Sequence, residues 1–213
     1  MSPRPWLLLI LLWVAGEAVA QRFNGGVLLG GNVSQVDGDT WQGYHKFGFQ
    51  AGGLVALRIS PHSSFQMELE YFQKGSRQNG DSTGGNTSSS QISTYLLRLH
   101  YIEIPVLYQY TFAKRFFAEV GAAAVINVGS KELVNGFPDP DPVPLRAVTA
   151  AGILGIGGYI TRHLKADFRF NYSLMSIRNG TEAAYRKILF EVGQYNNVLA
   201  LTLYWDFKPN EGW

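Results

Sequence analysis

Polar and apolar residues alternate along most of this chain, and the stretch LKADFRFNYSLMS, Leu164 to Ser176, carries the pattern in its plainest form. Leu164, Ala166, Phe168, Phe170, Tyr172 and Leu174 occupy every second position, with Lys165, Asp167, Arg169, Asn171 and Ser173 between them. A period of two belongs to a strand with two unlike faces. The alternation recurs in Phe47, Phe49, Ala51, Gly53, Val55, Leu57 and Ile59, in Phe65, Met67, Leu69 and Tyr71, and in Ile102, Ile104, Val106, Tyr108 and Tyr110. Even positions from Phe116 to Val128 and odd positions from Tyr195 to Phe207 continue it, while Leu145 to Ile160 is small and Gly-rich on both faces. With RFNGGVLLGGNVSQV at the start, eight strands are predicted, each of roughly 12 to 20 residues and so about twice the ordinary globular length. Upstream of YIEIPVLYQYTF, the stretch STYLLRLH has its apolar residues in the other parity, which predicts a bulge or twist near His100 to Ile102.

The connections are of two kinds. SPHS, AKR and TRH follow the second, fourth and sixth strands, whereas Asp37 to Gly43, Arg77 to Ser93, Gly129 to Pro144 and Ile177 to Gln194 follow the first, third, fifth and seventh. Short turns at one end and long loops at the other are the rhythm of an outer-membrane barrel, whose tilted strands need only about 9 to 11 residues to cross the hydrocarbon. The predicted fold is therefore all-β, an eight-stranded antiparallel up-and-down transmembrane β-barrel. Closure would pair every edge N–H and C=O, which lipid cannot do. The apolar face then meets lipid and the charged face points inward, the reverse of a soluble fold. Collected by parity, the inward set is Arg58, Glu68, Glu70, Lys74, Glu103, Glu119, Lys165, Asp167, Arg169 and Asp206. Buried charges need partners, so these residues are expected to form an internal salt-bridge network.

Composition narrows the reading. Charged residues make up 16% of the chain, aromatics 14%, and the formal charge of +2 gives no reason to expect nucleic acid as a partner. With no cysteine there is neither a disulfide framework nor a lipidated cysteine at the N-terminus. Arg4, the apolar run Trp6 to Val14 and the small residues Ala18-Val19-Ala20 predict a cleaved signal peptide over 1–20, leaving 21–213 as a single barrel domain. The expected compartment is the bacterial outer membrane. Outer-membrane lipid and the barrel-assembly machinery are expected partners.

KFGFQAGGLVALRIS, FQMELEYFQKGS, YIEIPVLYQYTF and LALTLYWDF resemble the PorT-like outer-membrane β-barrel family of Bacteroidetes. The most specific elements are Glu-Leu-x-Tyr-x-x-Lys-Gly at Glu68 to Gly75 and Tyr-x-Glu-Ile-Pro at Tyr101 to Pro105. The resemblance implies an eight-stranded barrel without assigned activity in most members, and for the founding member a part in gliding and type IX secretion. Two features depart from it, the doubled glycine Gly52-Gly53 and the tail KPNEGW beyond Phe207.

Candidate chemistry is sparse. Glu68 and Glu70 stand about 7 Å apart on one strand face, a spacing open to a glycosidase reading, but pairing with lumen Arg and Lys is the simpler one. His62-Ser63-Ser64 faintly resembles an element of barrel lipid A deacylases yet falls in a tight turn, away from the lipid-facing wall. His45, His100 and His163 lack metal spacing, so no catalytic, cofactor or metal residue is assigned. The sequons at Asn32, Asn86, Asn171 and Asn179 are read as chance. Trp41, Tyr44, Tyr95, Tyr110, Tyr159, Tyr195 and Trp205 lie near strand ends, as interfacial girdles do. The leading function is a non-enzymatic structural or accessory envelope protein that meets a partner through its loops or periplasmic rim. The alternatives are a lipid-modifying barrel enzyme and a soluble lipocalin-like barrel.

Overall fold

The computed structural model describes residues 23–39, 43–78, 94–179, 186–188 and 191–210. Eight long strands make the wall: β1 (Phe23–Asp37), β2 (Lys46–Arg58), β3 (Ser63–Gln78), β4 (Tyr95–Phe112), β5 (Phe116–Val134), β6 (Val148–Tyr159), β7 (Leu164–Ser173) and β8 (Glu191–Asp206). Each is antiparallel to its neighbours, and β8 returns to β1 in a ladder from Gly26↔Asp206 to Asp37↔Tyr195, so the sheet is a closed ring. Short ladders at Phe137–Pro138, Arg178–Asn179 and Arg186–Ile188 extend β5 and β8 beyond the ring. The eight-stranded up-and-down barrel expected from the alternation is the fold observed. The segment 1–20, read as a signal peptide, lies outside the described residues, as does most of the loop expected after the third strand.

Residues 59–62, Ala113 to Arg115 and 160–163 close one end of the barrel as tight turns. Ala113 and Lys114 take φ values of 50° and 62°, the left-handed geometry that a three-residue reversal demands. The chain after β8 folds back on this end: Lys208 N–H donates to Asn24 Oδ1, and Asn210 N–H donates to the Arg162 carbonyl. At the other end the strands run further than the sequence suggests. β5 continues to Val134 and β8 begins at Glu191, so parts of both expected loops, Gly129 to Pro144 and Ile177 to Gln194, belong to the wall.

The two faces separate as the period of two requires. Leu29 is 63% exposed and Leu201 60%, both on the outer wall, whereas Thr202 is 0% exposed and Lys165 2%. Phe49, Met67, Leu69, Val120, Leu154, Phe168 and Trp205 continue the apolar exterior. The girdle reading holds for Tyr110 and Trp205, which are exposed. It fails for Tyr195, which is fully buried, stacks on Tyr172 and donates to the Glu191 carbonyl. Tyr95 also turns to a protein partner, donating to Glu132 Oε1, and Trp41 lies outside the described residues.

A second correction concerns β4. The irregularity expected near His100 to Ile102 is present, but the extra residue is Val128 on β5, between the pairs His100↔Gly129 and Tyr101↔Asn127. β4 therefore keeps one parity throughout, and Leu97, Leu99 and Tyr101 point into the lumen. They pack with Val36, Leu107, Val125, Ile153 and Ile177 in an apolar layer. The glycines of β6 leave room for larger neighbours. A Cβ on Gly155 would stand 2.6 Å from Glu119 Oε1, and one on Gly157 would collide with Phe117 Cζ.

The sidedness is measurable. Leu201→Arg places a charge on the lipid face near mid-strand and should cost about 2 to 4 kcal/mol in urea unfolding from lipid vesicles. Thr202→Val, one residue along, removes only the acceptor used by Gln50 Nε2 and should cost about 1 kcal/mol. A loss on Leu201→Arg no larger than that on Thr202→Val would mean that Leu201 does not face lipid.

Candidate functional site

The lumen holds the densest chemistry, and the strand alternation builds it. Arg169 on β7 is 3% exposed and reaches across the barrel to Glu68 on β3, with Nη1 2.7 Å from Oε2 and Nη2 2.8 Å from Oε1. This two-pronged pairing is the geometry at which a planar guanidinium binds a carboxylate best. Arg169 Nε lies 2.5 Å from Glu119 Oε1 and 2.8 Å from Asp167 Oδ2, so one guanidinium serves three carboxylates. Neutral side chains complete the shell. Gln109 Nε2 donates to Glu119, Gln66 Nε2 to Glu68, and the Tyr204 hydroxyl to Asp167. Lys165 Nζ donates to Gln66 Oε1 at 2.7 Å and lies 5.1 Å from the centre of the Tyr204 ring.

A second cluster centres on Lys74. Its Nζ lies 2.6 Å from Glu103 Oε1, donates to Asn171 Oδ1 at 3.1 Å, and sits 4.3 Å above the Phe72 ring. Asn171 Nδ2 returns a bond to Glu103 Oε2, which closes the triangle. Glu70, 2% exposed, lies between the clusters, and its Oε2 accepts no hydrogen bond. Pro105 interrupts the ladder nearby. Pairing of β3 with β4 runs to Met67↔Val106 and resumes at Glu70↔Glu103, because proline has no N–H to offer.

Of the ten residues assigned inward by parity, Glu68, Glu70, Lys74, Glu103, Glu119, Lys165, Asp167, Arg169 and Asp206 are buried. Arg58 has the inward parity but ends β2, where it is exposed and donates to Asn210 Oδ1 in the tail. The buried set is acid-rich: six carboxyl groups face three bases. The bridging roles of Gln66, Gln109, Asn171 and Tyr204 went unassigned, although each occupies an inward position. His62 and Ser63 make separate contacts at the short-turn end. His62 packs near Tyr110, and Ser63 Oγ pairs with the Tyr108 hydroxyl at 2.9 Å.

At the long-loop end the chain after β7 turns in over the mouth. Ser176, Ile177 and Arg178 are buried there, and Arg178 pairs with Glu132 on β5. No periodic signal marks this segment. On β8 the outward apolar positions run from Leu199 to Trp205, so Glu191 stands clear of the membrane-crossing stretch. It accepts from the Ser176 N–H and from Arg146, and these two contacts hold its carboxyl below the usual carboxylate range.

A closed barrel, apolar outside and ion-paired inside, is the arrangement of an outer-membrane protein. The family model for the outer membrane protein beta-barrel domain matches residues 17–179. The chain belongs to this family. The fold is also that of Neisserial surface protein A, NspA, with a TM-score of 0.53 at 11% identity, over 86% of this chain and 97% of that one. Ail, the attachment invasion locus protein of Yersinia pestis, aligns over 86% of this chain and 98% of its own, at 10% identity and a TM-score of 0.45. OprG from Pseudomonas aeruginosa aligns over 87% and 94%, at 13% identity and a TM-score of 0.41. No curated protein sequence matches the chain. Membership in this family places the protein in the bacterial outer membrane.

Arg169 carries the clearest prediction for the lumen. Arg169→Met strands three carboxylates without their cation and should cost about 3 to 5 kcal/mol, the range for breaking a buried pair from one side. Adding Glu68→Gln removes one of the stranded charges and should recover about 1 kcal/mol or more, read as the urea midpoint of the refolded barrel. Strictly additive losses would show that Arg169 and Glu68 do not interact.

Proposed function

We propose that this outer-membrane barrel is plugged and non-enzymatic, an accessory part of the cell envelope that meets its partner through its long-loop end or its periplasmic rim. The observation that carries the reading is the filled lumen. Two ion-pair clusters occupy its middle, and the apolar layer that includes Leu97, Leu99 and Ile177 closes it toward the loops. Eight strands enclose a bore that side chains are able to fill, and here long charged ones do so in mutual pairs. What varies freely in such a barrel is its rims, where loops carry function. The finer reading, a PorT-like barrel of Bacteroidetes with a part in gliding or secretion, is supported by the Glu68-to-Gly75 and Tyr101-to-Pro105 patterns. The long-loop end faces outward from the cell in this reading, with both termini in the periplasm.

Reconstituted in planar bilayers, the purified protein should give no stable single-channel steps. Reproducible conductance would overturn the accessory reading in favour of a pore. Orientation is tested with single cysteines, since the chain has none of its own. Asp141→Cys at the loop end should react with an impermeant maleimide on intact cells, and Lys114→Cys in the tight turn should react only after lysis. The opposite pattern would invert the barrel.

A further inference from the structure

Near the long-loop end, where the outer wall meets the rim, lies a groove of about 470 Å³. Lys46, Arg77 and Arg98 line it, together with Phe47, Leu96 and Leu133, and among the described residues no carboxylate does. Lys131 stands opposite Arg98 on β5. Two of the cations are only weakly answered by the protein. Lys46 Nζ donates to the Phe47 carbonyl and to Gln73 Oε1, both neutral, and Arg98 Nε is buried without an acceptor. The charges of Lys46 and Arg98 repel one another unless an anion joins them.

The position of the groove identifies the anion. Immediately toward mid-barrel, the paired outward residues Tyr71, Ile102 and Ile126 begin the apolar band. The groove therefore lies where hydrocarbon gives way to headgroups. At the outward-facing end of an outer-membrane barrel, the headgroups are those of the phosphorylated glycolipid of the outer leaflet. Guanidinium and ammonium groups bind phosphate oxygens through short charge-assisted bonds, while Tyr71, Ile102 and Ile126, on the mid-barrel side of Arg98, offer apolar surface to the acyl chains. We propose that this groove is a binding site for a phosphate group of the outer-leaflet glycolipid, held by Lys46 and Arg98 with Arg77 beside them. The assignment rests on the loop end facing outward, which the labelling at position 141 checks independently.

The test uses the full-length mature barrel in detergent, with bound lipid read by native mass spectrometry. The probes are bisphosphorylated lipid A, the same lipid with both phosphates removed, and phosphatidylglycerol, with inorganic phosphate as competitor. Bisphosphorylated lipid A should bind one to one and outlast the other two. Arg98→Gln and Lys46→Gln should each weaken it about tenfold, the loss of one charge-assisted bond. Lys114→Gln with Arg115→Gln, at the opposite end, should leave it unchanged, and the heat-dependent gel shift verifies folding of every variant. The proposal is overturned if dephosphorylated lipid A or phosphatidylglycerol binds as well. It is also overturned if the groove variants retain wild-type binding, or if equimolar inorganic phosphate displaces the lipid.

Discussion

Everything in this molecule depends on the ladder between β1 and β8. A sheet in hydrocarbon cannot leave an edge, because lipid offers neither donors nor acceptors to unpaired backbone groups. The pairing from Gly26↔Asp206 to Asp37↔Tyr195 removes the edge, and closure then assigns every side chain to one of two solvents. Across the membrane-crossing parts of β1 to β3, odd residues face lipid and even residues the lumen, and on β4 the parity reverses. Since the bore of eight strands is narrow, charges placed inside by that parity are forced into contact. The Arg169 cluster is thus a consequence of closure as much as a support for it. Three carboxylates converge on one guanidinium because β3, β5 and β7 surround the same short section of lumen.

The two sequence patterns that carry the family resemblance meet in space. Lys74 and Glu103, one from each pattern, form the ion pair of the second cluster. Glu70↔Glu103 and Phe72↔Tyr101 are direct ladder partners, so the patterns are neighbouring strands seen side by side. Two of the less obvious letters also acquire reasons. Gly75 takes φ +140°, and a Cβ there would collide with the Leu97 carbonyl oxygen, so no other residue fits without moving β4. Pro105 withholds a donor from the ladder at the level where Glu68 turns to Arg169. The patterns therefore record one local device, a pair of strands that carry opposite charges into a crowded lumen.

Strand identity, face and loop rhythm were all legible from alternation, because a period of two is imposed residue by residue and lipid punishes each exception. Nine of the ten charges assigned inward are buried for the same reason, Arg58 is lost because β2 ends there and its side chain reaches the tail, and the buried Lys46, of the same parity, went unassigned. What was not legible depends on contacts between segments distant in sequence. Val128 is accommodated on β5, so β4 keeps its parity and Leu97 and Leu99 turn inward, a choice made by the partner strand. Tyr195 carries the outward parity yet is covered by Tyr172 and held by Glu191. Ile177 joins the lumen from a segment with no period at all, once the chain has turned over the mouth. Hydrophobicity alone cannot separate these apolar residues from lipid-facing ones, since both environments welcome them.

Lysine shows how depth decides the role of one residue type. Lys74 lies within the lumen, where a carboxylate, an amide and two aromatic rings surround it, and it is 1% exposed. Lys46 is nearly as buried at 4%, but it heads β2 at the rim and finds only a carbonyl and an amide oxygen. An ammonium has three protons to donate. In the lumen Glu103 supplies the countercharge for Lys74, while Lys165 is held by the Gln66 amide and lies near the Tyr204 ring. At the rim, where headgroups begin, the phosphate of the proposed site would add to Lys46 the negative charge that its two neutral acceptors lack.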